Sequence, residues 1–326
     1  MNKRKQEILD AVKDDLEAIE KALQDHLHPH FELVSQIANH ILFSGGKRLR
    51  PLLTILSARL CRYEGTLVTT LSCVFEYLHA ATLLHDDIVD AATLRRGKPV
   101  AHLTWENSTV VLVGDFLLAR SVSIAAQTGL PAIVEIIAYI TENMSQGEIR
   151  QMLNKNRSDL TEAEYMDVIR SKTAVLFQGA CRASALIAQA SSEEETALAN
   201  YGYNLGLAFQ MADDLLDYTT DSVALGKEVG ADLKEGKVTL PVIYALKKAE
   251  PEIRQQMEAI IINKDFNSED FETLRLFLKK YQGIEYTKKQ AAQYAADAKD
   301  ALAVFEPSPT KQILLDVADY ALLRKS

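Results

Sequence analysis

The sequence predicts an all-α protein, a helical bundle around one deep central cavity in which residues 1–326 form a single domain. Glycine and proline are few, with 14 and 8 residues, and the long stretches between them are rich in Ala, Leu, Glu, Lys and Gln. These residues favour helices over strands. Hydrophobic residues make up 48% of the chain, which is enough to bury a large core.

Hydrophobic periodicity predicts the helices of the N-terminal half. Apolar residues of the first helix recur every three or four positions, and Gly45-Gly46 stops the second. The third is apolar on almost all sides, which is typical of a helix at the centre of a bundle. The predicted helices cover residues 3–26, a stretch after Pro29 to about Phe43, residues 66–92, a stretch from Asn107 or Ser108 to about Thr128, and a helix that begins at Pro131.

In the C-terminal half, two long helices are predicted over 161–190 and 193–219, and shorter helices over 238–325. Glycines and lysines alternate in the segment 221–237, which predicts a mobile basic loop. These residues are Gly226, Lys227, Gly230, Lys234, Gly236 and Lys237.

One acidic motif occurs twice, far apart in the chain. Residues 86–90 and 213–217 both read Asp-Asp-aliphatic-aliphatic-Asp inside an apolar helix. In each motif the first and last Asp lie four residues apart and share a helix face. Carboxylates in apolar surroundings repel one another and need a compensating cation. Two such faces opposite one another would bind hard divalent cations and leave coordination positions for phosphate oxygens.

Composition argues against several other classes of function. The formal net charge of −9 argues against a general nucleic-acid binder. Cys61, Cys73 and Cys181 have no metal-ligand spacing, and scattered cysteines of odd number suit a reducing cytoplasm. The charged stretch 1–10 has no apolar signal-peptide core, and no uncharged apolar stretch approaches about 18 residues. We therefore expect a cytoplasmic protein without a transmembrane segment, compatible with release of a product at a membrane surface.

Several basic clusters accompany the carboxylates. Guanidinium and ammonium groups recognise phosphate oxygens well. Separate cationic clusters indicate more than one polyanionic group. The sequence therefore favours substrates that are diphosphate esters, from which the diphosphate leaves with the assistance of a metal ion. The alternatives are a solvated turn for the first cluster and a favourable cationic helix end for the second. The clusters lie at Lys47, Arg48 and Arg50, at Arg95, Arg96 and Lys98, at Lys172 with Thr173, and at Lys227 and Lys237.

Two histidines and a glutamine lie within apolar helices. His85 is expected to be a packing residue, whereas His79 lies seven residues before Asp86, near the same face, and could donate to a phosphate. Gln210 needs a hydrogen-bond partner in its apolar segment, so it is a better site candidate than its neighbour Phe209.

Together these residues resemble the trans-isoprenyl diphosphate synthases over nearly the whole chain. The resemblance implies an all-helical fold around a tunnel, usually in a homodimer. It implies successive condensation of isopentenyl diphosphate onto an allylic diphosphate such as farnesyl diphosphate, with three Mg²⁺ ions per active site once diphosphate is bound. The matching segments are 45–51, 83–90 with 95–97, 113–115, 172–173, 209–214 and 226–227.

The resemblance also implies a role for each site residue. The metal ligands would be Asp86, Asp90, Asp213 and Asp217, and the last of these would also support the metal shell with Asp87 and Asp214. Isopentenyl diphosphate would be bound by Lys47, Arg50, His79 and Arg96. The allylic partner would face Arg95, Lys172, Thr173, Gln210, Lys227 and Lys237. The residues assigned to catalysis are Asp86, Asp87, Asp90, Lys172, Thr173, Gln210, Asp213, Asp214 and Lys227.

Small residues before the first motif indicate a long product. The family sets product length by the bulk that lines its tunnel, and short-chain relatives of this type carry an aromatic residue where this chain has Ala81 and Thr82. We place the tunnel floor near Ile137. The resemblance is therefore strongest to the octaprenyl group, whose products form quinone side chains. For these three positions the alternative is ordinary core packing.

Other functions stay open from the sequence. The chain would share its motifs with the catalytic subunit of a two-component heptaprenyl diphosphate synthase, or with a geranylgeranyl diphosphate synthase whose floor is higher. A non-catalytic helical partner usually lacks one acidic motif, and a terpene cyclase usually mixes Asn, Ser and Glu in the second. Both motifs of this chain are rich in Asp, which disfavours the last two.

Overall fold

The computed structural model describes residues 3–219, 230–263 and 266–323. Its described residues confirm the all-α prediction. The helices are α1 (Lys3–Ala11), α2 (Lys13–Asp25), α3 (Glu32–Leu42), α4 (Leu49–Leu60), α5 (Leu67–Val89), α6 (Asn107–Gln127), α7 (Pro131–Leu153), α8 (Glu162–Ile169), α9 (Val175–Ile187), α10 (Ser192–Thr219), α11 (Ala231–Lys234), α12 (Leu240–Lys248), α13 (Pro251–Ile262), α14 (Ser268–Lys280), α15 (Gly283–Ala301) and α16 (Pro309–Leu322).

Several features of the backbone differ from the prediction. The helix predicted over 3–26 is divided at Val12 into α1 and α2, and α4 lies where no helix is predicted. A two-stranded antiparallel hairpin pairs β1 (Leu94–Arg95) with β2 (Lys98–Pro99), a ribbon too short for hydrophobic periodicity to reveal. The predicted helix over 161–190 is divided by a π-helical turn at Arg170–Ala174. A π turn widens the helix locally and is frequent at functional sites, but it leaves the residue types unchanged and so escapes a periodicity analysis.

Contacts divide the chain into two compact units, and the single domain over 1–326 stays a prediction. Unit 1 comprises Met1–Thr141, Leu176–Gly202 and Lys299–Val317. In this unit α5 packs against α2, α3, α4 and α6, as its apolar sequence predicts. The buried hydroxyl of Tyr77 in α5 donates to the carbonyl of Leu23 at 2.6 Å. The central helix that holds the first acidic motif is therefore fixed on several sides.

Unit 2 comprises Glu142–Val175, Tyr203–Ala298 and Ala318–Ser326. Its core surrounds α12, which contacts α8 and α14. The rings of Tyr218 and Phe271 stack with centroids 6.3 Å apart, so the helix that holds the second acidic motif is packed directly onto this core. A Cβ at Gly283 would lie 2.1 Å from the carbonyl oxygen of Pro241, so only glycine permits this close approach.

In the described part of the chain, two helices, α5 and α6, are long and apolar enough to cross a membrane by length and composition. The most apolar window of α5 is 67% buried inside the structure, and that of α6 is 39% buried. Core helices of soluble proteins meet the same criterion, so the expected lack of a transmembrane segment stays a prediction.

Candidate functional site

The first acidic motif forms the last turn of α5, in unit 1. Asp86 and Asp90 are half-buried, and their spacing of four residues places them on one helix face. Asp87 is 2% exposed, and its carboxylate accepts three hydrogen bonds from the Arg95 guanidinium, at 2.6, 2.9 and 3.0 Å. Arg95 thus fixes the motif, and its assignment to the allylic substrate stays a prediction.

A tight hairpin turn presents the second arginine of this cluster. Arg96 and Gly97 both have positive φ, at 53° and 75°, which is typical of a two-residue hairpin loop. A Cβ at Gly46 would lie 2.9 Å from Nη1 of Arg96. The lack of a side chain at Gly46 therefore allows the Arg96 guanidinium to approach the segment 45–51.

The cations of the segment 45–51 divide into two kinds. Arg48 is buried, and its guanidinium donates to the carboxylates of Glu20 and Glu76 and to the carbonyl of Leu42. Lys47 is exposed, and the half-buried Arg50 lies over the ring of Phe177, 4.8 Å from its centroid. Arg48 is therefore buried in internal ion pairs and is not part of a solvated turn, whereas the positions of Lys47 and Arg50 permit contact with a ligand.

His79 belongs to the same cationic group. Burial lowers its pKa well below the usual value for histidine, and neighbouring positive charges lower it further, so the ring is neutral near pH 7. A neutral imidazole still donates one hydrogen bond, and a bound diphosphate would favour its protonation. The neighbouring charges belong to Arg50, Arg96, Arg95 and Arg48. Unit 1 thus gathers three of the four residues predicted to bind isopentenyl diphosphate.

His85 makes structural contacts. Its Nε2 lies 3.1 Å from the carbonyl oxygen of Val111, and a Cβ at Gly114 would lie 2.2 Å from the same nitrogen. These contacts confirm the prediction that His85 is a packing residue.

In unit 2, the π turn presents Lys172 and Thr173. The ammonium group of Lys172 pairs with Glu148 of α7, a residue that the sequence analysis missed because nothing local distinguishes it from other helix glutamates. A Cβ at Gly147 would lie 2.8 Å from Cβ of Ser171, so glycine permits the close approach of α7 to this turn. Glu148 therefore positions Lys172, which is predicted to bind the allylic substrate.

Thr173 begins a chain of hydrogen bonds that reaches the second acidic motif. Its hydroxyl donates to Oε1 of Gln210 at 2.7 Å, and Nε2 of Gln210 donates to Oδ1 of Asp214 at 2.8 Å. The hydroxyl of Tyr165 donates to Oδ2 of Asp214 at 2.6 Å. Burial raises the pKa of Asp214 to about 6, although these hydrogen bonds oppose the shift. The buried partner required by Gln210 is therefore found within its own helix.

The remaining carboxylates of the second motif differ in environment. Asp213 is exposed, whereas Asp217 is buried and accepts hydrogen bonds from the backbone N–H groups of Ala231 at 3.1 Å and Asp232 at 3.2 Å. Asp217 thus caps the start of α11, which suits a supporting role better than direct coordination.

The loop predicted over 221–237 is described only from Gly230 onward, where it contains α11. Lys237 pairs with Glu235 at 2.5 Å. Lys227 and Gly226 lie outside the described residues.

The residues predicted to control chain length all lie in unit 1. Ala81 is 3% exposed and Ile137 is fully buried. Thr82 is half-buried, shares a helix face with Asp86, and donates to the carbonyl of His79 at 2.9 Å. Their roles in product length stay predictions, as does the tunnel itself.

The donor chemistry of both motifs fits a hard divalent cation. Carboxylate oxygens are the ligands that Mg²⁺ and Ca²⁺ prefer. Asp86 and Asp90 offer such oxygens on one helix face, and Asp213 offers them at an exposed position. Within residues 3–219, 230–263 and 266–323, no group of three or more His, Cys, Asp or Glu side chains is arranged to hold a metal ion.

Known proteins resemble this chain over almost its full length. Octaprenyl diphosphate synthase of Escherichia coli (strain K12) is 37% identical over 319 residues, which cover 98% of each chain. A polyprenyl synthase from Caulobacter crescentus CB15, solved with calcium and isoprenyl diphosphate, superposes with a TM-score of 0.92 at 37% identity over 98% of this chain and 97% of that one.

A decaprenyl diphosphate synthase from Rhodobacter capsulatus also superposes with a TM-score of 0.92, at 37% identity over 98% of this chain and 99% of that one. These neighbours confirm the all-helical fold that the resemblance implies. The family model described as polyprenyl synthetase matches residues 31–275, including both acidic motifs and the basic segment. The chain therefore belongs to the polyprenyl synthetase family of prenyl diphosphate synthases.

Proposed function

We propose that this chain is a long-chain trans-polyprenyl diphosphate synthase, which condenses isopentenyl diphosphate successively onto an allylic diphosphate such as farnesyl diphosphate. One observation supports this above all. Both Asp-rich motifs and the cationic residues around them are intact in a chain 37% identical to an octaprenyl diphosphate synthase. A non-catalytic partner would not need to retain the complete set.

The residues of unit 1 bind isopentenyl diphosphate in this proposal. Lys47 and Arg96 offer exposed cationic groups, and Phe177 holds the guanidinium of Arg50. Clustered cations repel one another until an anion is bound, and His79 gains a proton-stabilising partner at the same moment. A diphosphate with several negative charges therefore relieves the repulsion in this group.

Asp86, Asp90 and Asp213 would hold Mg²⁺, with Asp87, Asp214 and Asp217 held in supporting positions by their hydrogen bonds. When bound, Mg²⁺ neutralises charge that develops on the departing diphosphate. Lys172 binds the allylic diphosphate, and Lys227 and Lys237 assist it. The oxygens of Thr173 and Gln210 stabilise the allylic cation without capturing it. The double bond of isopentenyl diphosphate then attacks this cation and forms the new C–C bond. The released diphosphate takes the proton that is lost as the product double bond forms, so no side-chain nucleophile is required.

Further parts of the proposal rest on the resemblance. They are three Mg²⁺ ions per active site, a homodimer in the cytoplasm, release of the product at a membrane surface, and use of the product in quinone side chains. Ala81 and Thr82 leave room for a growing tail, and Ile137 limits its length.

Product analysis tests the proposal directly. The purified chain is incubated alone with Mg²⁺, farnesyl diphosphate and radiolabelled isopentenyl diphosphate, and dephosphorylated products are separated by thin-layer chromatography or mass analysis. We expect a long all-trans product near the octaprenyl length. No product from the chain alone would favour the subunit of a heteromeric heptaprenyl diphosphate synthase. A product that stops at geranylgeranyl diphosphate would place the tunnel floor closer to the first acidic motif than Ile137.

A further inference from the structure

Tyr165 is a buried tyrosine to which the proposed chemistry assigns no role. It lies in α8, is 4% exposed, and its hydroxyl donates to Oδ2 of Asp214 at 2.6 Å across 49 residues of sequence. Its ring belongs to the core of unit 2. A tyrosine needed only for packing could be phenylalanine, so the buried hydroxyl requires an explanation of its own.

The hydrogen bonds beyond Asp214 all have a fixed direction. Tyr165 holds one carboxylate oxygen, and the other oxygen faces Gln210 and accepts from its amide nitrogen. The amide oxygen of Gln210 must then point the opposite way, where it accepts from the hydroxyl of Thr173. Since the Thr173 proton is used in this bond, the lone pairs of its oxygen remain to face a positive charge.

We propose that Tyr165 is a positioning residue for prenyl transfer, because it anchors Asp214 and so fixes the orientation of the Gln210 amide and the Thr173 hydroxyl. This inference rests on the proposed function. Preorganised dipoles stabilise developing charge most when they do not reorient during the reaction. Without the Tyr165 hydroxyl, the Asp214 carboxylate can rotate. The Gln210 amide nitrogen then loses its fixed acceptor, so nothing keeps the amide oxygen directed at Thr173.

The chain provides a matched control. Tyr218 is also a buried tyrosine of the same core, and its hydroxyl bonds to Oγ1 of Thr239 at 2.8 Å instead of to Asp214. Tyr165→Phe and Tyr218→Phe each delete one buried hydroxyl and keep the ring. A purely structural role predicts similar losses of thermal stability and similar kinetics for both variants.

The test is steady-state kinetics with each substrate varied in turn, at a temperature at which circular dichroism shows both variants folded. We expect Tyr165→Phe to lower kcat roughly tenfold, the effect of about 1.4 kcal/mol in the barrier. KM for isopentenyl diphosphate should stay unchanged, and Tyr218→Phe should keep the wild-type kcat. An unchanged kcat for Tyr165→Phe, or an equal fall in the control, would overturn the inference.

A double-variant cycle tests the route of the effect. In a Gln210→Ala background, deletion of the Tyr165 hydroxyl should change kcat less than about twofold, because the group through which it acts is gone. The same tenfold fall in both backgrounds would refute the positioning role. A wild-type chain without prenyl transfer would overturn the proposed function and this inference together, which separates that failure from a failure of Tyr165 alone.

Discussion

Replacement of Arg48 by methionine should destabilise the protein strongly. Arg48 lies in the basic segment 45–51, but its side chain is only 4% exposed and bonds to Glu76, whose side chain is 8% exposed. Nη1 of Arg48 lies 2.7 Å from Oε1 of Glu76. Its Nε and Nη2 donate, each at 2.6 Å, to the carboxylate of Glu20 and the carbonyl of Leu42. Methionine keeps much of the buried volume but leaves the Glu76 carboxylate buried without its cation.

The expected loss follows from that geometry. Removal of one partner from a buried ion pair costs about 3–5 kcal/mol, because the remaining charge is desolvated and uncompensated. Arg59 provides the control, since it makes two contacts with Asp15, at 2.5 and 3.1 Å, and its side chain is 44% exposed. Arg59→Ala should cost about 1 kcal/mol or less, because the Arg59 guanidinium is in contact with water and the pair gains little over hydration, although Asp15 is only 15% exposed.

Urea unfolding followed by circular dichroism measures both free energies. The double variant Arg48→Met with Glu76→Leu should recover most of the loss, because it removes both charges from the interior. Equal and small losses for Arg48→Met and Arg59→Ala would refute the reasoning. So would a double variant no more stable than Arg48→Met alone.

Three further predictions concern the proposed chemistry. Asp86→Ala and Asp213→Ala should lower turnover by several orders of magnitude with the fold retained, because each removes a magnesium ligand, and product formation in a Mg²⁺ titration measures this. Lys47→Ala should mainly raise KM for isopentenyl diphosphate and Lys172→Ala should mainly raise KM for the allylic substrate, as shown by varying each substrate in turn. Ala81→Phe should shorten the product to farnesyl or geranylgeranyl diphosphate, because a rigid ring fills a packed wall about 7.5 Å from Asp86 along the helix.

Each of these has its own control. Asp167→Ala removes an exposed helix carboxylate and should leave turnover unchanged; full turnover of either motif variant at saturating Mg²⁺ would refute the metal assignment. Equal effects of both lysine variants on both substrates would refute two separate pockets. Ala80 is as buried as Ala81 but points about 100° away on the helix, so Ala80→Phe should leave product length unchanged. A folded Ala81→Phe enzyme with full-length product would show that the tail does not pass this residue.

The helical class, both acidic motifs and the basic segments follow from the amino-acid sequence alone. Helix periodicity and the spacing of four residues between paired aspartates are local properties, so they can be read without coordinates. Some helix boundaries are also predicted closely. The predicted helix over 66–92 corresponds to α5 at Leu67–Val89, and α7 begins at Pro131 as predicted.

Which charged groups bond within the protein, and which face solvent, is visible only in the folded chain. Arg48 and Lys47 are neighbours, yet one is buried against a carboxylate 28 residues away and the other is exposed. Asp214 and Asp213 are likewise adjacent, yet Tyr165 from a distant helix anchors the first while the second is exposed. Neighbouring residues of a helix point about 100° apart, so their environments depend on what packs against each face. Those partners are remote in sequence, and only the folded chain brings them within hydrogen-bonding distance.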